Sequence, residues 1–300
     1  MISFKPIDDN AFDEFLAAIT VGYSNETKEM IEEIIDSFVD PELELAVCVF
    51  ADTLLVRIFD FGRYLFAFPY ELTEGADLSA AIEAVREYAM REEIPLVFSD
   101  VPAEALSLFA GFRHMDLDAE DKEGLSYRVK IKNECQLMDE IPEITLGRVT
   151  LNDICEDDLP LYATLARDKD VNKYWGYDYS LDKSDATDEY FLDTARNEFA
   201  RGVAFSMAIR VDGEFVGESI IYAFDGKGGA EFALRLLKDK HGMGLGSESA
   251  EATLHAARQI GLTKLRAIIM KENLPSIGML KSIGASIVES GDRITFAIEL

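Results

Sequence analysis

The sequence Lys238-Asp-Lys-His-Gly-Met-Gly-Leu-Gly-Ser247 decides the fold, because it places three alternate glycines between a predicted strand and a predicted helix. Upstream, residues 230–237 alternate as a half-buried strand. Downstream, Ser247 is a typical helix cap and Gly261 a typical stop, with apolar residues at the helical period between them: Ala250, Leu254 and Ala257. Glycines let the backbone approach a ligand, and free amides at a helix N-terminus favour an anion. The stretch therefore predicts a loop that binds phosphate or pyrophosphate.

Two common nucleotide motifs do not match this loop. A P-loop needs a lysine after its last glycine, but Gly246 is followed by Ser247 and Glu248. The dinucleotide fingerprint needs a glycine three residues after Gly244, where Ser247 stands. On these residues alone, a glycine turn that binds nothing remains the alternative, so the prediction depends on a second motif.

The second motif follows within the length of one βαβ unit. Residues 265–284 read as a strand, a turn at Asn273, and a helix with Pro275 in its first turn. With both motifs, the chain resembles the GNAT N-acetyltransferase superfamily. The family loop has the form Gln/Arg-x-x-Gly-x-Gly/Ala, and its later element has the form Asn-x-x-Ser/Ala-x-x-x-Leu/Tyr-x-x-x-Gly. The matching residues are His241, Gly244 and Gly246, then Asn273, Ser276, Leu280 and Gly284.

The closest likeness is to the Rim-type subfamily that acetylates protein N-termini, together with related small-amine acetyltransferases, over roughly residues 144–300. The resemblance implies acetyl-CoA as the cofactor, with the backbone of Leu236 and Leu237 pairing with its pantetheine arm. The remaining implied cofactor residues are His241, Gly242, Met243, Gly244, Leu245, Gly246, Ser247, Asn273 and Ser276. His241 departs from the usual Gln or Arg, and loop amides are expected to do most of the binding. Lys238, Lys240, His241 and Lys271 form a basic cluster around this loop. A bulky side chain at Gly244 is expected to block phosphate approach while the fold survives.

The resemblance also implies direct transfer of an acetyl group to an amine, which needs a base. Glu231 is the favoured base because it opens the strand that leads into the loop; Glu218 and Tyr222 are further catalytic candidates. For each glutamate taken singly, a solvated residue on an edge face is the alternative. Many relatives carry a tyrosine general acid where this chain has Leu280, so the proton donor for the thiolate stays open.

The segment Asp170-Val-Asn-Lys-Tyr-Trp-Gly-Tyr177 resembles the subfamily's loop near the acceptor amine. Its aromatic residues Tyr174, Trp175 and Tyr177 are candidates for an aromatic wall against that amine. A loop that anchors itself to the core is the alternative.

Composition limits the partners. A net charge of −28 disfavours nucleic-acid binding and suits a cationic acceptor, although acidity that only maintains solubility is the alternative. The sequence contains neither a long apolar run nor a recognisable secretory signal. We therefore expect no membrane span, and we expect a cytoplasmic location. The scattered cysteines Cys48, Cys135 and Cys155 indicate reduced thiols, and no metal site is expected.

The predicted fold class is α+β, with tandem GNAT-like lobes at residues 1–140 and 141–300, each a mixed, mostly antiparallel sheet flanked by helices. The first lobe repeats the order of strands and helices of the second, which indicates a divergent duplication. It resembles the GNAT-related C-terminal domain of phosphatidylglycerol lysyltransferases, chiefly over residues 77–130. In place of the glycine loop it has Glu74 and Asp77, whose carboxylates would repel pyrophosphate. We therefore expect one CoA site, in the second lobe.

Two other functions remain open at this point. The protein can be an acyl-CoA sensor without turnover, if Glu231 and Glu218 are inert. It can also be an aminoacyl-tRNA-dependent transferase, as the likeness of the first lobe suggests, although the acidity and the glycine loop count against this.

Overall fold

The structure is a computed structural model, and it describes residues 2–6, 46–50, 53–60, 63–67, 78–91, 96–175, 183 and 185–300. The chain forms two compact units, Met1–Lys132 and Asn133–Leu300. They divide slightly before residue 140, because Asn133 and Cys135 already bond within the second unit: the Asn133 amide donates to the Gly202 carbonyl at 2.9 Å, and the Cys135 thiol contacts the Ala204 carbonyl. In the described ranges, no helix is long and apolar enough to cross a membrane.

In the first unit, the described strands form one sheet in the order β1-β2-β3-β4-β5-β7-β6. They are β1 (Ile2–Pro6), β2 (Ala46–Phe50), β3 (Thr53–Asp60), β4 (Arg63–Ala67), β5 (Leu96–Pro102), β6 (His114–Ala119) and β7 (Ser126–Lys132). Helix α1 (Leu78–Arg91) follows β4, and a 3-10 helix (Ala103–Phe109) follows β5. Phe98 and Phe109 meet edge to face at 4.9 Å in the core. Glu74 and Asp77 lie outside the described residues.

The second unit contains an eight-stranded sheet in the order β14-β15-β13-β12-β11-β10-β9-β8. Its strands are β8 (Ile144–Leu146), β9 (Val149–Asn152), β10 (Ala204–Val211), β11 (Glu214–Tyr222), β12 (Gly229–Leu236), β13 (Lys264–Met270), β14 (Ser286–Ser290) and β15 (Arg293–Glu299). Its helices are α2 (Leu159–Arg167), α3 (Asp188–Arg201), α4 (Leu245–Gln259) and α5 (Leu274–Ser282). Mixed sheets flanked by helices were predicted, and this is confirmed.

Alternation along β11 and β12 sorts their side chains between two faces of this sheet. The Ser219 hydroxyl bonds to Thr253 of α4 at 2.7 Å, so Ser219 lies on the α4 face. Glu218, the preceding residue, lies on the opposite face, where Tyr162 of α2 donates to its carboxylate at 2.8 Å. Arg235 is the register partner of Glu218 and lies on this α2 face as well. Glu231 is four residues from Arg235 along the same strand and therefore shares the α2 face.

Read from the β6 and β14 edges, the two sheets have the same strand order over their first seven strands. Each contains one described parallel pair, β4 with β5 and β12 with β13, and a helix joins the two strands of the pair. The interpretation of both units as GNAT-like lobes that arose by duplication stays a prediction.

Candidate functional site

Strands β12 and β13 separate at the centre of the sheet. Their parallel register covers only Gly229–Glu231 against Lys264–Arg266, and no later residue of β12 is registered with β13. The Leu237 N–H donates to the Val216 carbonyl at 2.9 Å, so Leu237 faces β11. Neighbouring residues of a strand direct their backbone groups to opposite edges. The backbone of Leu236 therefore faces the gap between the separated strands.

The predicted glycine loop connects the end of β12 to α4. Gly242 and Gly244 have φ angles of 75° and 81°, which glycine adopts without steric cost. Helix α4 begins at Leu245, and its first internal hydrogen bond runs from the Glu248 N–H to the Gly244 carbonyl. Gly244 is the cap residue and has no side chain to satisfy the amides of the first turn. These free N–H groups can donate hydrogen bonds to an anion.

Two expectations about this loop are wrong. Ser247 does not cap the helix, because it already lies in the first turn and its hydroxyl is 3.1 Å from the Ser282 hydroxyl of α5. A valine at Gly244 would not spare the fold, because a β-branched residue is strained at a φ of 81°. Gly246 is helical, and an added Cβ would meet only the Met279 sulfur, at 3.7 Å. A side chain introduced at Gly246 therefore tests whether the loop binds a ligand, because it does not strain the backbone.

Sequence reasoning missed the residue that holds the loop in place. Arg148 precedes β9, and its Nη2 donates to the Met243 carbonyl at 3.1 Å and to Glu248 Oε1 at 2.5 Å. Its Nε adds a contact to Glu248 Oε2 at 3.1 Å. Hydrogen bonds from Arg148 lower the pKa of Glu248. One guanidinium thus fixes both the loop and the first turn of α4, and no local sequence pattern reports a pair separated by 100 positions.

The predicted basic cluster is largely engaged in contacts of its own. Lys238 forms an ion pair with Asp170, and Lys240 forms one with Asp239 at 3.3 Å. The His241 Nε2 atom lies 3.0 Å from the Leu236 carbonyl oxygen, on the edge that faces the gap. The Leu237 carbonyl accepts from the Lys240 N–H at 2.9 Å, so both backbone groups of Leu237 have partners. Of the two leucines predicted to pair with pantetheine, only Leu236 directs its backbone to the open edge of β12, towards β13.

The second motif forms the start of α5. The Asn273 side-chain oxygen accepts from the Ser276 N–H at 3.3 Å, so Asn273 is the helix cap. Leu280 is fully buried in the core. The position where relatives carry a tyrosine is thus a packing position in this chain.

Glu231 lies at the point where β12 and β13 separate. It is half-buried, with Tyr222 and Arg266 as its register partners on the adjacent strands. Burial raises the pKa of Glu231 above its usual value, while the positive charge of Arg266 and a hydrogen bond with Tyr222 partly oppose this. A carboxyl group with a raised pKa is a candidate for proton transfer near neutral pH.

Glu218 has a different environment from Glu231. Only 2% of it is exposed; its Oε2 accepts from Arg235 Nε at 2.8 Å, and its Oε1 accepts from the Tyr162 hydroxyl. Both carboxylate oxygens are therefore engaged in a buried network. This arrangement favours a structural role for Glu218 over that of a base.

The described part of the segment 170–177, which was predicted to lie near the acceptor amine, contacts this network. The Arg235 guanidinium carbon is 4.3 Å from the centre of the Trp175 ring. Tyr174 is half-buried, with the Lys173 ammonium 5.0 Å from its ring centre. Tyr177 lies outside the described residues.

The Cys135 thiol is buried, and the described residues contain no metal cluster. Burial raises the pKa of the Cys135 thiol to about 12, which keeps it protonated at neutral pH. Among the residues that the structure describes, no group of three His, Cys, Asp or Glu is arranged to hold a metal ion.

Comparison with known proteins gives a family-model match for this part of the chain. Residues 148–286 match the family model described as "Acetyltransferase (GNAT) domain". The match runs from Arg148 through the separated strands, the glycine loop and α5. The matching stretch is slightly less than half of the chain. No curated protein matches the chain.

Several solved structures resemble about half of the chain. RimJ from Mycobacterium smegmatis, in complex with CoA-disulfide, is 18% identical over 54% of this chain and 87% of its own, with a TM-score of 0.45. A GNAT-family acetyltransferase from Bacillus anthracis is 20% identical over 53% of this chain and 98% of its own, with a TM-score of 0.44. Spermidine N-acetyltransferase from Vibrio cholerae, in complex with CoA and spermine, is 13% identical over 51% and 95%, with a TM-score of 0.44.

The raised pKa of Glu231 makes a prediction about stability. A neutral carboxyl is favoured in the folded state, so this contribution is present below the unfolded pKa of about 4.3 and is lost as pH rises through the higher folded pKa. We expect Glu231→Gln to match the wild type at low pH and to become relatively more stable towards neutral pH. Urea unfolding at a series of pH values measures this difference.

The control is Glu289→Gln, which removes one carboxylate from the exposed strand β14 and changes the net charge equally. A difference in unfolding free energy between Glu231→Gln and the wild type that does not change with pH would show that Arg266 and Tyr222 cancel the effect of burial. A difference that changes in the opposite direction would show that they outweigh it.

Proposed function

We propose that the second unit binds acetyl-CoA and transfers its acetyl group to a primary amine, either a small amine or a protein N-terminus. One observation carries this proposal: β12 separates from β13 at Glu231 and then runs into a glycine loop with unsatisfied amides. That arrangement lies within the stretch that matches the GNAT acetyltransferase model. In this proposal, the phosphate site and the candidate base lie at opposite ends of β12.

The loop fits a pyrophosphate group on steric and electrostatic grounds. A Cβ on Gly242 would meet no atom within 4 Å, so ligand atoms can approach the backbone there. The N–H groups of Leu245, Gly246 and Ser247 precede the first internal hydrogen bond of α4. We assign pyrophosphate binding to these amides and to the loop Gly242–Gly244. Arg148 keeps the loop in shape from behind, through the Met243 carbonyl.

The gap between β12 and β13 fits an extended ligand arm that adds to the edge of β12. We assign this pairing to Leu236, whose backbone faces the gap, and not to Leu237. The His241 ring occupies the Leu236 carbonyl. That oxygen has a second lone pair, which a ligand amide can use. Ser276 and Asn273, at the start of α5, remain assigned to the far side of the same ligand.

Glu231 supplies the base in this proposal. Bound acetyl-CoA supplies an activated acetyl thioester. Glu231 takes a proton from the ammonium, directly or through water, so that the amine nitrogen can bond to the acetyl carbon while the bond to sulfur breaks. The departing sulfur requires one proton, and the second proton released by the amine goes to solvent. We assign Tyr222 as that donor, because it hydrogen-bonds with Glu231, which can pass on to it the proton taken from the ammonium. The Leu280 side chain has no acidic proton to give.

A cationic amine is the proposed acceptor class. The net charge of −28 raises the local concentration of cations near the protein. Trp175 offers aromatic surface on the α2 face, the face that also carries Glu231, and Tyr174 precedes it in the chain. Aromatic rings bind ammonium groups, which suits an acceptor that arrives protonated.

Binding at the loop can be tested with Gly246→Val. The new side chain would occupy the approach to the α4 amides, so we expect acetyl-CoA affinity to fall about tenfold or more, or ~1.4 kcal/mol. Isothermal calorimetry measures the affinity. Gly278→Val is the control, because Gly278 is also helical; it is exposed, and an added Cβ there meets no atom within 4 Å.

The two valine variants should have similar melting temperatures, and only Gly246→Val should lose affinity. Unchanged affinity in Gly246→Val would reduce the loop to a turn without a ligand.

The role of Glu231 can be tested with Glu231→Gln in a screen of primary amines that monitors release of the CoA thiol. A general base contributes typically ~10²–10⁴-fold, so turnover should fall at least by the smaller factor while acetyl-CoA affinity is kept. Raising the pH should partly rescue the variant, because more acceptor is then already neutral. Glu289→Gln should behave as the wild type.

Unchanged turnover in Glu231→Gln across the pH range would exclude Glu231 as the general base and leave Tyr222 as the candidate for that role. Tight acetyl-CoA binding by the wild type without turnover of any amine would favour the sensor over the enzyme.

A further inference from the structure

Arg235 is a buried cation in the middle of the proposed site, with only 6% of its surface exposed. Its Nε and Nη2 atoms contact Glu218 Oε2 at 2.8 and 2.6 Å. Burying two charges costs several kcal/mol per ion before their attraction offsets it, so such a pair is weak evidence for stability. The geometry around Arg235 points to another use.

The third nitrogen of Arg235 binds the segment that follows α2. Its Nη1 donates to the side-chain oxygen of Asn172. The Asn172 amide nitrogen donates to the carbonyls of Leu165, Ala166 and Asp168 at 2.7–3.1 Å. Because those three acceptors fix the nitrogen, the oxygen has to face Arg235. Asn172 therefore joins the end of α2 directly to β12.

The flat face of Arg235 binds the same segment a second time. The guanidinium carbon lies 4.3 Å from the centre of the Trp175 ring. The backbone N–H of Trp175 donates to the Asn172 carbonyl at 2.9 Å, so Trp175 and Asn172 belong to the same turn. Arginine stacks on aromatic faces in a way that the compact ammonium of lysine does not reproduce. An ion pair between Lys238 and Asp170 ties the segment once more, just beyond the end of β12.

These contacts place Trp175 on the α2 face of β12, along the strand from the proposed base. Glu231 and Arg235 are four positions apart, which corresponds to about 13 Å at ~3.3 Å per residue. An extended amine acceptor whose nitrogen lies at Glu231 reaches Trp175 over that distance.

We infer that Arg235 is a positioning residue for the amine acceptor: it holds Trp175 in place as the wall of the acceptor site, and Glu218 neutralises its buried charge. This inference rests on the proposed function and adds to it a specificity element. It also gives Glu218 a role that requires no proton transfer.

The chain offers a matched control in a second ion pair that is largely removed from water. Arg210 of β10 contacts both carboxylate oxygens of Asp158 at 2.8 and 2.7 Å, at the start of α2. Its other partners are Asn152, the Asp153 carbonyl and Cys155. Arg210→Lys therefore weakens a comparable pair that does not touch the Asn172–Trp175 segment.

The experiment compares Arg235→Lys, Arg210→Lys and Trp175→Leu with the wild type in steady-state kinetics. Arg235→Lys and Trp175→Leu should raise the KM for the amine about tenfold, with the KM for acetyl-CoA and the kcat at saturating amine within about twofold. In the double variant, Arg235→Lys should add little to Trp175→Leu, since both remove one wall. Trp175→Phe should recover part of the amine KM, and Arg210→Lys should leave it unchanged.

Fluorescence tests the same contact without turnover, because Trp175 is the only tryptophan in the chain. Acrylamide quenching should increase in Arg235→Lys and not in Arg210→Lys. An unchanged amine KM in Trp175→Leu overturns the inference, as does an equal rise in Arg210→Lys. Trp175→Leu decides the matter if Arg235→Lys does not fold. A wild type that turns over no amine contradicts the proposed function instead, while the quenching result still tests whether Arg235 holds Trp175.

Discussion

The proposed site depends on how short the parallel contact between β12 and β13 is. Three residues of each strand pair, and the strands then separate, which leaves the Leu236 backbone at an open edge and puts Glu231 where the gap begins. Glycine keeps β12 close to its other neighbour, β11, because a Cβ on Gly217 would lie 2.3 Å from the Arg235 carbonyl oxygen. A strand held firmly on one side and released on the other can accept a ligand as a substitute for the missing partner.

Two arginines stabilise what surrounds the gap. Arg148 holds the glycine loop and the first turn of α4, at the exposed end of the site. Arg235 bonds to Asn172 and stacks on Trp175, and the buried carboxylate of Glu218 neutralises its charge. Each of these two arginines forms several charge-assisted hydrogen bonds that join segments distant in sequence.

Local patterns in the sequence were enough to predict the strand, loop and helix around the three glycines, and the strand and helix of the second motif. The strand expected at 230–237 is Gly229–Leu236, and the helix that follows buries the expected apolar residues and ends before Gly261. Conformation at single positions was harder: the glycine φ angles move the helix start ahead of Ser247 and make Gly244 intolerant of side chains. Contacts between distant residues could not be predicted, because the partners of Arg148 and Arg235 are chosen by the folded sheet and leave no periodic signal.

Amide hydrogen exchange on the intact chain, with and without acetyl-CoA, tests the central claim most directly. The account predicts slower exchange at the amides of residues 242–247 and along the open edge of β12, with exchange across residues 1–132 unchanged. It also predicts a calorimetric stoichiometry of one acetyl-CoA per chain. Protection confined to the first unit, or binding that leaves the amides of residues 242–247 unprotected, would contradict the claim that the glycine loop and the gap form the cofactor site.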